Sequence, residues 1–510
     1  MKKIGASLFF AVLVSAAVAQ TNAPVTRALS LQDCLAEALK HNFDVRVERY
    51  EPEKSLFNLH AAYAGYDPTL SLSGSHNHSD LGGPIAPGQI TYFTNFNNVV
   101  LTNISGNGIS VNDNDSFNTS LGGSLPSGAT YSLGGNVTKN YDTGGADYSS
   151  GSVGALNLSQ PLLKNFWIDE TRLNISAAKN QLKYSEQGLR QQLITTVAAV
   201  ENAFYELIYA HENVKVQQEA LNLAQTQLDE DNQRVQIKVI AERGGTIEQD
   251  EAQVAQSRAN LIAAQFTLAS DENTMKNLIT DNYIQMHGVD IKPAATLEAV
   301  RQLFDVQDSW SKGLVARPDL LQAKLTLEQQ GIQLKYDRNQ LFPQLDLTGS
   351  YGYNGAGQGF GDALDQYGAA NRPFYSYGGQ MSVPLSHVGA RNALKADKAV
   401  EQQDLLKLKQ LEQNIMVQID NAVKQAQSAW ESVDATKHQR IYAEAALDAE
   451  QKKYAVGKST TFTVLQLQNN LTSARSQEIR SLANYNEALS NLAQQEGTTL
   501  ERRNLDVTVK

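Results

Sequence analysis

Three features of the sequence have residue types that could bind a metal or a nucleotide, and none completes a known motif. His211 would begin the zinc-binding pattern HExxH, but Lys215 stands where the second histidine is required. His76 and His78 could share a metal ion from one strand, although no third ligand is evident and a loop pair is the simpler interpretation. The glycine-rich stretch 355–361 lacks GxGxxG spacing and lies between two predicted strands, which is typical of a surface loop. We therefore predict no enzyme activity, no cofactor and no metal site.

A short acidic cluster offers a different kind of chemistry, the attraction of cations. Glu248, Asp250 and Glu251 would form a ring of carboxylates at a narrow aperture if several copies of the chain surrounded one axis. Carboxylates in such a ring repel one another and favour cations. The simpler alternative is a solvated helix face. Such a ring forms only if helices or strands place the cluster at an aperture. The rest of the sequence indicates which helices and strands these are.

The amino-terminal residues have the pattern of a secretory signal peptide. Lys2 and Lys3 precede the apolar run Ile4–Ala19, which ends in a small-x-small cleavage signal and is short for a membrane-spanning helix. We predict cleavage before Gln20, which removes two lysines and changes the formal charge from −11 to −13. An acidic exported protein is not expected to bind nucleic acid or anionic lipid surfaces. Cys34 is the single cysteine, so we expect no intrachain disulfide, and it lies too far downstream to accept a lipid.

Two halves of the chain share one plan. Matches at an offset of 275 are Asp44/Asp319, Pro68/Pro343, Leu70/Leu345, Leu72/Leu347 and Gly74/Gly349. Matches at an offset of 219 are Arg172/Arg391, Lys179/Lys398, Asn202/Asn421, Ala203/Ala422, Val214/Val433 and Leu228/Leu447. The offset falls because the first half carries extra residues, mostly between about 80 and 150. Each half is predicted to contain a helix, a strand, a loop, a strand and a very long helix pair.

Long helices are predicted where proline is absent, between Pro161 and Pro293 and after Pro384. Apolar residues recur there at heptad spacing, in the first tract at Leu193, Val200, Leu207, Val214, Leu221, Leu228 and Val235. Such narrow seams are typical of coiled coils, and the remaining faces are rich in polar residues. A helix from about residue 170 to 235 would be on the order of 100 Å long, which suits a tube crossing a wide compartment.

Alternating apolar and polar residues predict strands near residues 70 and 156 in the first half and near 345 and 380 in the second. The same alternation fits an ordinary half-buried sheet. Together with an export signal, long helices with polar faces and the lack of a predicted helical anchor, this alternation favours a transmembrane barrel. Four strands cannot close a barrel, and an open edge cannot lie in lipid. We therefore expect the chain to combine its strands with copies of itself, in a number that spacing does not fix.

Five segments, in order, resemble motifs of the TolC-like outer-membrane efflux protein family. They are the opening helix at 29–42, the second-repeat start at 317–320, the strand ends at 157–162 and 381–385, and the helix-tip turn at 454–458 with 464–466. The resemblance implies an α+β membrane protein built from two repeats and assembled as a homotrimer. Four strands per chain would give a twelve-stranded outer-membrane barrel, continued by an α-helical coiled-coil barrel across the periplasm.

The resemblance also implies partners and residue roles. An inner-membrane pump of the RND, ABC or MFS type would deliver substrates through a periplasmic adaptor that docks on the helix tips. The tip residues expected to contact the adaptor are Tyr454, Val456, Gly457, Lys458, Leu465, Ile240 and Ala241. The sequence departs from the family pattern at Lys238, where glycine is usual, and Gly244-Gly245 would supply the turn instead. Thr463 and Gln466 stand where some relatives carry gate aspartates, which leaves the cluster at 248–251 as the candidate periplasmic aperture.

The insertion between about 80 and 150 is rich in Gly, Asn, Ser and Asp, as extracellular loops are. Within it, alternating residues flank the turn Pro126-Ser127-Gly128, which predicts a hairpin. This hairpin either belongs to the loop, which we favour, or adds a strand pair to the barrel, giving six strands per chain and eighteen in a trimer.

The predicted division of the chain follows from these elements. The segments are 1–19 signal peptide, 20–66 periplasmic or equatorial helices, 67–160 first strand pair with the inserted loop or hairpin, 161–280 first helix pair, 281–340 equatorial segment, 341–384 second strand pair, 385–496 second helix pair and 497–510 tail. The predicted function is an outer-membrane exit duct of a tripartite efflux or secretion system. The alternative is an exported trimeric coiled-coil stalk or adhesin, which explains the heptads but not the interrupting strands.

Overall fold

The computed structural model describes residues 25–84, 107–142, 148–236 and 246–505. The strands are β1 (Val25–Leu29), β2 (Thr69–Pro84), β3 (Asn107–Ser124), β4 (Thr130–Asp142), β5 (Tyr148–Pro161), β6 (Val289–Pro293), β7 (Gln344–Gly357) and β8 (Pro373–Ser382). The helices are α1 (Leu31–His41), α2 (Phe43–Tyr63), α3 (Glu170–Gln236), α4 (Thr246–Ile279), α5 (Tyr283–Met286), α6 (Val306–Ala316), α7 (Pro318–Asn339), α8 (Phe360–Ala369), α9 (Val388–Ala455), α10 (Thr461–Glu496) and α11 (Thr499–Arg502). The predicted signal peptide lies outside the described residues.

Two very long helices dominate the chain. Helix α3 has 67 residues and α9 has 68, so each extends for about 100 Å at 1.5 Å per residue. Helix α4 packs along α3 and α10 packs along α9, and α3 also contacts α10. The structure therefore places a helix close to the predicted range of 170 to 235.

The buried side of α3 follows the predicted heptad only in its first part. Leu193, Val200 and Leu207 are each at most 1% exposed, whereas Leu228 is only half-buried. An α-helix has 3.6 residues per turn, so a strict seven-residue spacing rotates by about 20° in each heptad. Near the end of α3 the buried positions are instead Gln227 and Asp231. The seam therefore becomes polar where the helix approaches its tip.

Six strands form one antiparallel sheet in the order β2-β3-β4-β5-β7-β8. Our prediction of four strands per chain is wrong for this sheet, and so is the preference for a loop-borne hairpin. Strand β2 pairs with β3 along the whole length of β2, and β4 pairs with both β3 and β5. The cause lies in the register, because the apolar residues of β3 and β4 align with those of their neighbours, as at Leu121, Leu133 and Leu156. The glycine-rich stretch is also not a loop, because Gly357 ends β7 and Phe360 begins α8.

A hydrophobic core joins the segments between the sheet and the helix tips. Strand β1 pairs in parallel with β6, and α1 packs against α3 and α4. Cys34 of α1 lies in this core with no exposed surface, and burial raises the pKa of its thiol to about 12. Helix α1 begins with a capping box, in which the Ser30 hydroxyl accepts from the Asp33 amide and the Asp33 carboxylate accepts from the Ser30 amide.

Candidate functional site: the sheet faces and the helix tips

One face of the six-stranded sheet carries an apolar band that crosses all six strands. The hydrogen-bonded register places Leu70, Leu121, Leu133, Leu156, Tyr351 and Tyr375 in one line that crosses every strand. These side chains are exposed in the single chain, from 39% for Leu121 to 75% for Tyr375. An exposed apolar band with tyrosines is what a lipid-facing sheet surface requires.

The opposite face carries mostly short, polar side chains. Hydroxyl pairs bridge neighbouring strands at Ser71 and Ser120 (2.7 Å), Ser75 and Ser116 (2.8 Å) and Ser350 and Ser376 (2.6 Å). Asn157 donates to the Ser132 hydroxyl at 3.2 Å. Such a face is suited to water rather than to lipid, so the two faces of the sheet separate two different solvents.

The histidines of β2 contact aspartates on the neighbouring strand, and they do not lie in a loop. His76 Nδ1 lies 2.7 Å from an Asp115 carboxylate oxygen, and His78 Nδ1 lies 2.5 Å from one of Asp113. Both aspartates are the direct cross-strand neighbours on β3. The pairing orients each ring toward a carboxylate, which is an ordinary cross-strand contact.

The turn between α9 and α10 forms the second helix tip. Gly457 has a φ of +71°, which favours glycine at this position, and the Thr460 hydroxyl caps α10 by accepting from the Thr463 amide. Val456 and Lys458 are exposed, whereas Leu465 is buried. Of the predicted docking residues on this tip, the exposed surface therefore comes from the turn itself.

Tyr454 ties the second tip to the first. Its hydroxyl donates to the Asp231 carboxylate at 2.7 Å and lies 2.8 Å from the Thr461 hydroxyl. Thr461 also donates to Asp231, at 3.0 Å, and the Arg234 guanidinium lies 4.5 Å from the centre of the Tyr454 ring. This network joins α3 to both helices of the second hairpin.

Asp250 completes the polar cluster from α4. Asp231 and Asp250 each have no exposed surface, and neither Asp250 carboxylate oxygen accepts a hydrogen bond. Burial, followed by the neighbouring Asp231 charge, raises the pKa of Asp250 to about 7. Asp231 receives hydrogen bonds from Gln227, Tyr454 and Thr461, whereas Asp250 accepts none, so the proton that the raised pKa favours is on Asp250.

The predicted aperture residues therefore differ in their surroundings. Glu248 and Glu251 are exposed on α4, while Asp250 points into the helix contact. Ile240, Ala241 and the Gly244-Gly245 turn lie outside the described residues. Sequence reasoning missed Asp231 because no motif marks it, although its hydrogen-bond partner Gln227 lies four residues earlier on α3.

Two further ion pairs with α3 were not predicted. Arg480 of α10 donates to Glu206 of α3 at 2.5 Å, and Arg503 donates to the buried Glu201. Burial, followed by the Glu206 charge, raises the pKa of nearby Glu487 to about 7. The Arg480 contact fixes the second hairpin against the first well above the tips, and the Arg503 contact fixes the segment after α11 to α3.

Among the described residues, no helix combines the length and apolarity that crossing a membrane requires. The apolar and polar sheet faces, with the long helices α3 and α9 at one end, define an outer-membrane channel as the class of protein. The family profile described as outer membrane efflux protein matches residues 116–280 and 310–498. The chain belongs to this family, and it is an efflux channel rather than an enzyme.

Individual relatives agree with this assignment. The outer membrane efflux protein BepC of Brucella suis is 26% identical over 338 residues, which cover 65% of this chain and 69% of BepC. The fold is similar to that of the Campylobacter jejuni CmeC outer membrane channel, with a TM-score of 0.63, 16% identity and coverage of 92% and 86% of the two chains. For the Neisseria gonorrhoeae MtrE channel the TM-score is 0.64, with 18% identity and coverage of 92% and 89%.

Proposed function

We propose that the protein is a passive, trimeric exit duct of a tripartite efflux or secretion system. The sheets of three copies form a barrel in the outer membrane, and the hairpins α3–α4 and α9–α10 continue it as a helical barrel in the periplasm. An inner-membrane pump of the RND, ABC or MFS type delivers substrates through a periplasmic adaptor. The family supports the channel role and the tripartite setting, and the features of this chain support the remainder.

The observation that carries the proposal is the open, two-faced sheet. Within the described chain, β2 and β8 each have one strand neighbour, so both edges keep unpaired backbone groups. Lipid cannot satisfy those groups, and each costs several kcal/mol in hydrocarbon. An apolar face with open edges is therefore stable in a bilayer only when other copies pair with the edges.

Apolar residues on the helices support association between copies. Phe43, Val47 and Tyr50 of α2 form a stripe at spacings of four and three residues, and each is more than half exposed. Ile262 and Phe266 of α4 form a second stripe, 59% and 76% exposed. Surfaces of this kind are expected at contacts between subunits rather than in water.

The helix tips are the proposed docking surface for the adaptor. The α9–α10 turn presents Val456 and Lys458 to solvent, and Tyr454, Gly457 and Leu465 hold that turn in place. Ile240 and Ala241 would contribute the corresponding contacts from the first tip.

Membrane insertion together with ion conductance tests the proposal. The protein should fractionate with the outer membrane, migrate as a trimer that dissociates on heating, and conduct ions in a planar bilayer. A coiled-coil stalk or adhesin would fractionate with the cell surface but leave the bilayer closed. A soluble monomer would contradict both functions.

Neutralising the acidic cluster is expected to weaken the preference for cations. We propose that Glu248 and Glu251 line the periplasmic aperture and that Asp250 supports them from within. In the double variant Glu248→Gln/Glu251→Gln, the ratio of cation to anion permeability should fall by roughly two- to fivefold, measured from reversal potentials in a salt gradient. The control Glu431→Gln/Asp434→Asn removes two exposed charges from α9 far from the tip and should leave the ratio unchanged. Equal ratios in the wild type and the first variant would rule out the ring.

A further inference from the structure

We propose that the outer-membrane barrel of this channel contains eighteen strands, six from each of three copies, with β8 of one copy pairing with β2 of the next. The family resemblance implies only twelve. This inference rests on the proposed trimeric channel and adds the hairpin β3–β4 to its membrane wall. The partner that covers each open sheet edge is a second copy of this chain.

The first argument is the continuity of the two faces. The apolar line from Leu70 to Tyr375 passes through Leu121 of β3 and Leu133 of β4 without a gap. On the opposite face, Ser116 of β3 continues the hydroxyl contacts begun by β2. A hairpin in an extracellular loop would lie in water on both sides and would need no such alternation.

The second argument is the position of the hairpin turn. Residues 125–129 close the turn with a hydrogen bond from the Leu125 amide to the Ala129 carbonyl at 2.7 Å. Gln160, at the end of β5 that leads to α3, donates to the Ser127 carbonyl at 3.0 Å. Gly128 has a φ of +80°, and a Cβ there would lie 2.5 Å from the carbonyl oxygen of Asn165. The turn therefore lies at the helical end of the sheet, opposite to where an extracellular loop would be.

The third argument is the direction of the two edge strands. The sheet is antiparallel throughout, and it has six strands, so β2 runs away from the helices and β8 runs back toward them. Placing β8 of one copy beside β2 of the next therefore gives another antiparallel pair. A ring of identical sheets closes with no change in the alternation and leaves no open edge.

An eighteen-stranded wall has a functional consequence. Barrel diameter grows roughly linearly with strand number, and membrane barrels of about 16 to 18 strands can enclose an open aqueous channel. The interior of this barrel would be lined by the serine, threonine and asparagine side chains of the polar face. The barrel would then admit bulky polar or uncharged cargo, and the narrow control point would lie at the helix tips.

Spin-label accessibility tests the inference directly. Single cysteines would replace Leu121 and Ser120 on β3, Leu133 and Ser132 on β4, and Leu347 and Thr348 on β7 as the reference strand. Cys34 is fully buried, so the native background stays unlabelled. Trimers in lipid vesicles should show labels at the leucine positions accessible to oxygen and shielded from a water-soluble nickel complex, with the reverse at the serine and threonine positions.

The reference strand β7 distinguishes an error in the number of strands from an error in the membrane barrel itself. If β7 alternates but both faces of β3 and β4 are open to nickel, the barrel has twelve strands and the channel function stands. If β7 also fails to alternate, the membrane barrel itself is wrong. Where a labelled variant does not form trimers, counting strands in a single-particle structure of the native trimer in lipid nanodiscs decides the number.

Discussion

Arginine in place of Leu156 is expected to abolish most of the assembled channel in the outer membrane. Leu156 lies near the middle of β5, on the apolar face and 46% exposed in the single chain. An arginine facing lipid near the bilayer midplane costs about 2–4 kcal/mol in a membrane barrel. A trimer repeats the substitution three times, so the folded assembly should be strongly disfavoured. The heat-dissociable trimer in the outer-membrane fraction, quantified on unheated and heated gels, measures the effect.

The adjacent residue gives a matched control. Asn157 lies on the polar face, where its amide donates to Ser132, so Asn157→Arg adds the same charge on the water side. This variant should retain most of the trimer, with a loss of only about 1 kcal/mol for the broken hydrogen bond. Equal loss of trimer in both variants would contradict the assignment of the faces.

Asparagine in place of Asp250 is expected to remove a pH-dependent weakening of the first helix tip. Asp250 is buried beside Asp231, and its pKa is raised from 3.8 to about 7. The folded chain therefore binds a proton that the unfolded chain releases between about pH 4 and 7. Over that window the tip loses stability as pH rises, by at most about 1.4 kcal/mol per pH unit. In Asp250→Asn, the amide replaces the proton as donor to Asp231 at every pH.

Hydrogen exchange of the first turns of α4 measures this effect. After correction for intrinsic rates, amides of the wild type should be less protected at pH 8 than at pH 5, whereas Asp250→Asn should keep its protection. The control Glu251→Gln removes a neighbouring exposed carboxylate and should behave as the wild type does. A wild type whose protection is the same at both pH values would refute the shared proton.

The groups around Asp231 and Asp250 determine how many helices the loss of the shared proton affects. Arg234 is the one cation near it among the described contacts, with Nη1 3.9 Å from an Asp231 oxygen. Gln227, Tyr454 and Thr461 supply neutral donors to Asp231. Because these donors come from α3, α9 and α10, loss of the shared proton weakens the contact among all the helices that meet at the tips. Acid conditions should therefore favour the contacts among α3, α9 and α10 around Asp231.

The periodic features of the sequence were sufficient to predict the elements that depend on local patterns. Proline-free heptads fixed the extent of α3, and period-two alternation located the strands near Leu70, Leu156 and Leu345. The family resemblance and the channel function also followed from ordered motifs, and the matching family profile confirms them. These properties can be predicted from the sequence because each depends on residues that are close together in the chain.

The tertiary structure alone decided which strands pair and which polar groups meet. The alternation around Phe117 and Val137 predicts two strands but not their neighbours, and only the pairing with β2 and β5 places these strands in the sheet. Asp231 and Asp250 are 19 positions apart on two helices, and their contact depends on how the rotation of the helix seam accumulates over some 60 residues of α3. Sequence periodicity specifies a face of each element, whereas the partner of that face is set by packing over long distances.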